Sequence, residues 1–243
     1  MPGYEERTYR NIAGSNDLLS FNVAVKETDL WISCDCELEK DARDLIISYR
    51  NQLENYIRSH PLFLTALESY HEDIYAPQIV KEMIQATGDL NVGPMASVAG
   101  AIAQFVGEGL LKRTGQVIVE NGGDIFLKAD RDITVSIFAG DSPLSGKLGI
   151  SVPVKQMPCG ICSSSGKTGH SLSLGQSDVI CLVSSSSIRA DGAATAVGNI
   201  LKSGKDLEKA ADAADEIEGI AGGVAIIGEK MAAWGEIELV QIR

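Results

Sequence analysis

The stretch from Val92 to Leu111 constrains this chain more than any other. It is apolar almost throughout and rich in Gly and Ala, with Gln104 and Glu108 as polar interruptions. That composition describes a helix buried inside a protein and argues against a membrane span. Pro94 is suited to open the helix, which is expected over Met95 to Lys112. Ala96, Ala99, Gly100, Ala103 and Gly107 recur every three or four positions and form a stripe of small residues. Such a stripe admits either a closely packed sheet or a ligand.

The segments around this helix switch periodicity in blocks. Ser20 to Lys26 and Thr28 to Cys34 alternate apolar and polar residues and read as a hairpin. Leu38 to Ser59 carries apolar residues at helical spacing and stops before His60-Pro61. Leu62 to Ala76 reads as irregular, and Pro77 opens a helix closed by Gly88. Strands are expected at Val117 to Val119, Ile125 to Leu127, Ile133 to Ala139, Lys147 to Val154 and Val179 to Val183. Helices follow at Ala190 to Lys202 and Asp206 to Glu216, then a last hairpin from Gly223 to Ile227 and Gly235 to Ile242. Runs of strands and helices, rather than strict alternation, predict an α+β fold with mainly antiparallel sheets. The expected organisation is one domain over residues 1–243, built of two halves at about 18–120 and 121–243.

Charge removes several function classes. The 243 residues hold 21 Lys and Arg against 33 Asp and Glu, a net charge of −12. No basic run exceeds two residues, so nucleic acid and anionic membrane are not expected partners. The first twenty residues lack the apolar core of a signal peptide, which makes the cytoplasm the expected compartment. Five cysteines, an odd number, fit reduced thiols better than a disulfide framework.

Three constellations can carry chemistry. In Ala190 to Ala196, Asp191 and Thr195 lie four residues apart, which puts them about 5–6 Å apart on one helix face. A carboxylate and a hydroxyl among small residues suit Mg²⁺, which keeps water and phosphate oxygens in its shell. The alternative makes Asp191 a helix cap and Thr195 a buried filler. Cys162 to Ser171 offers small hydroxyl residues, glycines, Lys167 and His170, a composition that can hold a pyrophosphate or form a solvated turn. It is not a P-loop, because Ile161 stands where the first glycine belongs. Glu120 to Asp124 places Gly122 and Gly123 after a buried strand, where they allow either a ligand's approach or a hairpin turn. Cys34 with Cys36 and Cys159 with Cys162 also permit a four-thiolate zinc site, against the default of buried free thiols.

The order of ENGGD (120–124), ICSSSG (161–166), GHS (169–171) and ADGAATA (190–196) resembles the ApbE-like superfamily, whose best-known members are FAD:protein FMN transferases. VGPMASVAGAIAQFVGEGLL (92–111), VIVENGGDIFL (117–127) and AAWGEIEL (232–239) are more similar to a compact branch of it. The resemblance implies a duplicated α+β fold with flanking helices around a central cleft. It implies Mg²⁺ on Asp191, Thr195 and a backbone carbonyl at Gly100 or Ala101. Ser164, Ser165, Gly166 and His170 would face the pyrophosphate of FAD or a related nucleotide diphosphate. Gly122, Gly123 and Asp124 would shape the pocket floor, and Asp191 and His170 would carry catalysis. An acceptor protein would receive FMN; a homodimer is the common expectation for such a chain. The departures are Gln104 where the transferases have a Lys-Gly pair, Gly192 for an alanine, and a shortened motif from His170 to Gly175. The early flavin-enclosing segment and the lipoprotein signal also lack counterparts. A ligand-binding module without transfer and a structural or zinc-binding protein are the alternative functions.

Overall fold

A computed structural model describes residues 18–166 and 175–242. The chain opens with a hairpin, β1 (Leu19–Val25) and β2 (Thr28–Cys34), as its alternation predicts. Four helices follow: α1 (Glu39–Ser59), α2 (Pro61–Thr65), α3 (Gln78–Thr87) and α4 (Val98–Leu110). Next come β3 (Val117–Asn121), β4 (Asp124–Lys128), β5 (Ile133–Ser136), β6 (Leu148–Val152), β7 (Cys159–Ser164) and β8 (Val179–Ser184). The remainder is α5 (Ser187–Ile200), α6 (Leu207–Asp215), β9 (Ile220–Ile227), β10 (Lys230–Gly235) and β11 (Glu238–Gln241).

Eight strands form one sheet in the order β1-β2-β3-β4-β7-β8-β9-β10, every neighbouring pair antiparallel. A smaller antiparallel sheet has the order β11-β6-β5. The large sheet is the middle of three layers. Val117, Val119 and Phe126 pack under α1, α3 and α4, while Ile180 and Leu182 pack under α5 and α6. Ile118, Ile125, Val179, Cys181 and Val183 face the small sheet. Because both faces are covered, the central strands read as unbroken apolar runs instead of alternating ones. The α+β class with antiparallel sheets is therefore observed as expected. No helix among the described residues is long and apolar enough to cross a membrane.

Local corrections concern segments whose partners are distant in sequence. The stretch expected to be irregular from Leu62 begins inside a short helix, α2, with Pro61 at its first position. The glycine-rich helix starts with a 3-10 turn at Pro94–Ser97 before α4 proper. Cys159–Ser164 is a strand, although its small polar residues read as a loop; pairing with β4 and β8 on both edges overrides propensity. α5 begins at Ser187, not Ala190, since the Ser186 hydroxyl accepts from the Arg189 N–H and caps the helix there. The hairpin partner of β9 is β10, not Gly235 to Ile242; β11 crosses to β6 in the small sheet.

Candidate functional site

α5 packs on β7, β8 and α4 at once, and its first turn is held by two glycines. A Cβ on Gly100 of α4 would lie 2.2 Å from the Ser187 carbonyl oxygen, and one on Gly160 of β7 would lie 2.2 Å from the Ser187 Cα. Both distances are sterically forbidden, so three elements meet at Ser187 because two residues lack side chains. Hydrogen bonds fix the junction. The Ser187 hydroxyl donates to the Gly100 carbonyl at 2.9 Å. The Gln104 Oε1 accepts from the Ser187 N–H and the Ser186 hydroxyl, both at 3.0 Å, and the Gln104 amide donates to Glu108.

One turn further along α5, the buried Asp191 carboxylate accepts the Gly100 N–H at 2.8 Å. Asp124, the first residue of β4, is equally buried and accepts from the Ser163 N–H at 3.1 Å. Burial pushes the Asp124 carboxyl well above the usual range, and the Asp191 charge beside it pushes it further. Burial also raises Asp191, against the stabilising N–H groups of Gly100 and Ala99. Both carboxylates are buried, and the charge on Asp191 makes ionisation of Asp124 more costly still, so protonation of Asp124 is favoured. Thr195 follows Asp191 by one helical turn and is buried to the same degree.

The serine segment enters from β7. Gly160 and Cys162 both contact Ser187, and alternation puts Ser164 on the same side of the strand. The Ser164 hydroxyl is buried and has no hydrogen-bond partner among the described residues; the Ser177 hydroxyl shares that condition. The Gly166 N–H donates to the Ser177 carbonyl at 3.1 Å, and Gly166 lies tight against the Gly175 carbonyl. Ser165 is half-buried. His170, together with Lys167 to Leu174, lies outside the described residues.

Asp191, Asp124 and Gly100 thus come together, with Thr195 on the same helix. Gly100 has its N–H on Asp191 and its carbonyl on the Ser187 hydroxyl, while Ala101 is fully buried. Gly122 and Gly123 form the β3–β4 turn with φ of 70° and 105°, and Gly123 donates to the Glu120 carboxylate at 2.9 Å. Gly122 itself is exposed at the turn. The Asn121 amide donates to the Ala99 carbonyl at 3.1 Å and ties that turn to α4. Sequence reasoning named Cys162 in the serine segment but missed Ser187, on which that segment, α4 and α5 meet. The one signal available was Gln104, a polar residue in an otherwise apolar helix.

Asp124, Asp191 and Thr195 carry hard oxygens, the donor type Mg²⁺ takes, while among the described residues no group of three or more His, Cys, Asp or Glu is gathered that could hold a metal ion. The cysteines do not assemble a four-thiolate site. Cys159 packs in the core beneath the small sheet, Cys162 turns toward α5, and the Cys34 thiol donates to the Cys36 carbonyl.

The family described as AbpE bacteria matches residues 10–221. A UPF0280 protein of Methanococcus maripaludis is 40% identical over 221 residues, covering 88% of this chain and 90% of its own. A UPF0280 protein of Methanosarcina acetivorans is 36% identical over 216 residues, covering 88% and 85%. Among solved structures, the apo flavinyl transferase ApbE of Pseudomonas stutzeri matches with a TM-score of 0.60 at 13% identity, over 89% of this chain and 94% of that one. The ApbE protein of Thermotoga maritima matches with a TM-score of 0.57 at 10% identity, over 90% and 97%. At such identities the likeness concerns the fold. The chain belongs to the AbpE bacteria family, and it has the fold of the ApbE flavin transferases.

Proposed function

We propose that this protein binds FAD, or a related nucleotide diphosphate, together with Mg²⁺, and transfers FMN to a hydroxyl of an acceptor protein. The observation that carries this reading is the buried pair Asp124 and Asp191, together with an unpartnered Ser164 hydroxyl on the face of β7 that meets α5. Asp191, Thr195 and Asp124 would hold the cation, which supplies charge neutralisation on the diphosphate when bound. Ser164, Ser165 and Gly166 orient the diphosphate, and the Gly122-Gly123 turn with Asp124 bounds the pocket. The acceptor oxygen attacks the phosphorus of the FMN half. A new P–O bond forms, the bond to the bridging oxygen breaks, and AMP leaves with that oxygen. His170 is assigned the acceptor's proton in this scheme. The expected compartment is the cytoplasm.

The test is incubation with FAD, MgCl₂ and candidate acceptor proteins, followed by chromatography for AMP and by in-gel flavin fluorescence. AMP release by wild type and its loss in Asp191→Ala are the expected results. Equal background in both proteins would refute transfer. A second reading, binding without transfer, draws on Gln104. Its amide is spent on Ser186, Ser187 and Glu108, so it offers no cation where the resembling transferases have a lysine. Calorimetry would then show Mg²⁺-linked affinity for FAD without AMP.

A further inference from the structure

Exposed large apolar side chains are unevenly placed on this protein. Among the described residues there are nine, and five of them, Leu62, Leu64, Leu67, Ile74 and Tyr75, fall within residues 62–75, so the exposure is concentrated in one segment. Tyr75 is 90% exposed and Leu62 74%. Single apolar residues are ordinary on a surface, whereas a contiguous patch above about a few hundred Å² marks an interaction site.

The segment is folded tightly, so these side chains are presented and not loose. Its centre is the fully buried Phe63. Tyr56 and Tyr70 pack edge-on against that ring, with centroids at 5.2 and 5.5 Å, and His60 and His71 stack on the two tyrosines. The Tyr56 hydroxyl donates to Asp73 Oδ2 at 3.0 Å, and the Tyr75 N–H donates to Asp73 Oδ1 at 2.9 Å. A Cβ on Gly93 would lie 1.7 Å from the Ala66 carbonyl oxygen, so the loop rests directly on the backbone before Pro94. Leu62 and Leu64 flank Phe63 in α2, and Ile74 and Tyr75 follow Asp73, so all four surround one buried centre with their side chains outward. Held this way, they lose little freedom when a partner covers them.

The charge around them has one sign. Residues 59–80 contain no Lys or Arg. Glu68 and Glu72 are exposed and form no ion pair with described residues. Leu67 and Glu68 also line a cleft of about 550 Å³ with Leu90, Val92 and Ile217, which extends the apolar surface inward. Asp89 on its rim is neutralised by Arg189, which donates to it with both terminal nitrogens at 2.5 and 2.8 Å. Arg189 also donates to the Ala86 and Glu218 carbonyls at 2.7 and 3.1 Å and so joins both rims, α3 and the α6–β9 turn. Glu68 and Glu72 are therefore the charges open to a partner. A second copy would set the same acidic groups against them, on a chain of net charge −12, and an anionic membrane is repelled likewise.

We propose that residues 62–75 form a protein-docking surface whose partner presents a basic amphipathic segment, apolar on one face with Lys or Arg beside it. The apolar face covers Leu62, Leu64, Leu67, Ile74 and Tyr75, and the basic groups meet Glu68 and Glu72. Binding here requires neither Mg²⁺ nor FAD and is separate from the transfer reaction.

The probe is a fluorescein-labelled peptide of Leu and Lys at amphipathic helical spacing, about five turns long. Its counterpart carries Glu in place of Lys. Both are titrated with the full-length protein by fluorescence anisotropy, in EDTA and about 150 mM NaCl. Saturable micromolar binding of the Lys peptide, and none of the Glu peptide, is expected. Leu67→Ser with Ile74→Ser should weaken it by about tenfold or more at unchanged circular dichroism. Leu19→Ser, at an exposed apolar position on β1, should leave it as it is. Glu68→Lys with Glu72→Lys should weaken it as much and let the Glu peptide bind, and this pair serves if the serine variants misfold. No saturable binding by wild type, or undiminished binding in both double variants, overturns the proposal. A wild-type dimer in sedimentation equilibrium that the serine variants dissociate would give the surface to a second copy. Flotation with phosphatidylcholine vesicles that the same variants abolish would give it to a membrane; either result also overturns the proposal.

Discussion

Replacing Gly100 by alanine tests the junction on which Asp191 depends. The new Cβ would meet the Ser187 carbonyl oxygen at 2.2 Å, its carbon at 2.8 Å and the Asp191 Cβ at 2.9 Å. Two of these atoms are backbone, so α4 and α5 must separate. Overpacking of this kind costs about 1–3 kcal/mol. Loss of the N–H bond to Asp191 adds roughly 1.5–3 kcal/mol, offset by about 1 kcal/mol of helix propensity. The net expectation is a destabilisation of about 1.5–5 kcal/mol, or a fall of about 3–20 °C in Tm for a chain of this size. Gly109→Ala, in the same helix, is the internal control. Its Cβ would meet only the methyl ends of Leu45, at 2.8 and 3.0 Å, and those can rotate away. That variant should stay within about 1 kcal/mol of wild type. Urea and thermal unfolding of both variants, read by circular dichroism, decide the matter. Equal stability of Gly100→Ala and Gly109→Ala would show that the close α4–α5 approach does not exist in solution.

Other outcomes follow from the same geometry. Saturating MgCl₂ should raise the Tm of wild type, by about 2.7 kcal/mol of stabilisation at a hundredfold excess over Kd, and should do nothing for Asp191→Asn; differential scanning fluorimetry reads both. Native protein should react with a thiol reagent at the exposed Cys36 alone, and at all five cysteines once unfolded. Burial pushes the Cys159 thiol up to about 12, above its ordinary value of 9.0. Its contribution to stability is therefore complete below pH 9 and lost as pH rises toward 12, which a urea midpoint series across that window would show. Arg189→Ala leaves the Ala86 and Glu218 carbonyls without their partner and should cost about 1–3 kcal/mol. Arg189→Lys should not restore it, because an ammonium lacks the planar fork that spans both rims; denaturant midpoints separate the three proteins.

How much of this was legible in the sequence depended on how local the signal was. Asp191 and Thr195 fall one turn apart because helical periodicity is a property of the string itself. The buried helix through Ala101 and Ala103 was visible for the same reason. β7 was not, since Ser163 and Ser164 have low strand propensity and only the flanking β4 and β8 make a strand of them. The start of α5 was hidden in a run of serines, any of which can cap a helix. β11 alternates as a strand should, but nothing in residues 238–241 says that β6, not β9, is its neighbour. The meeting of Asp124 with Asp191 spans 67 positions of chain and has no local trace (191 − 124 = 67).

Ser187 sits where a strand and two helices touch, and it does so because Gly100 and Gly160 leave it the space. Evolutionary drift is therefore not free at these three sites. A bulkier residue at either glycine has no room unless the backbone opposite retreats, and a retreat dislodges the partner glycine's contact as well. Among relatives, substitutions at 100, 160 and 187 should arrive as linked sets or be purged. Gln104, which reads the same serine from outside the steric crush, is the position where the lineage has latitude to diverge.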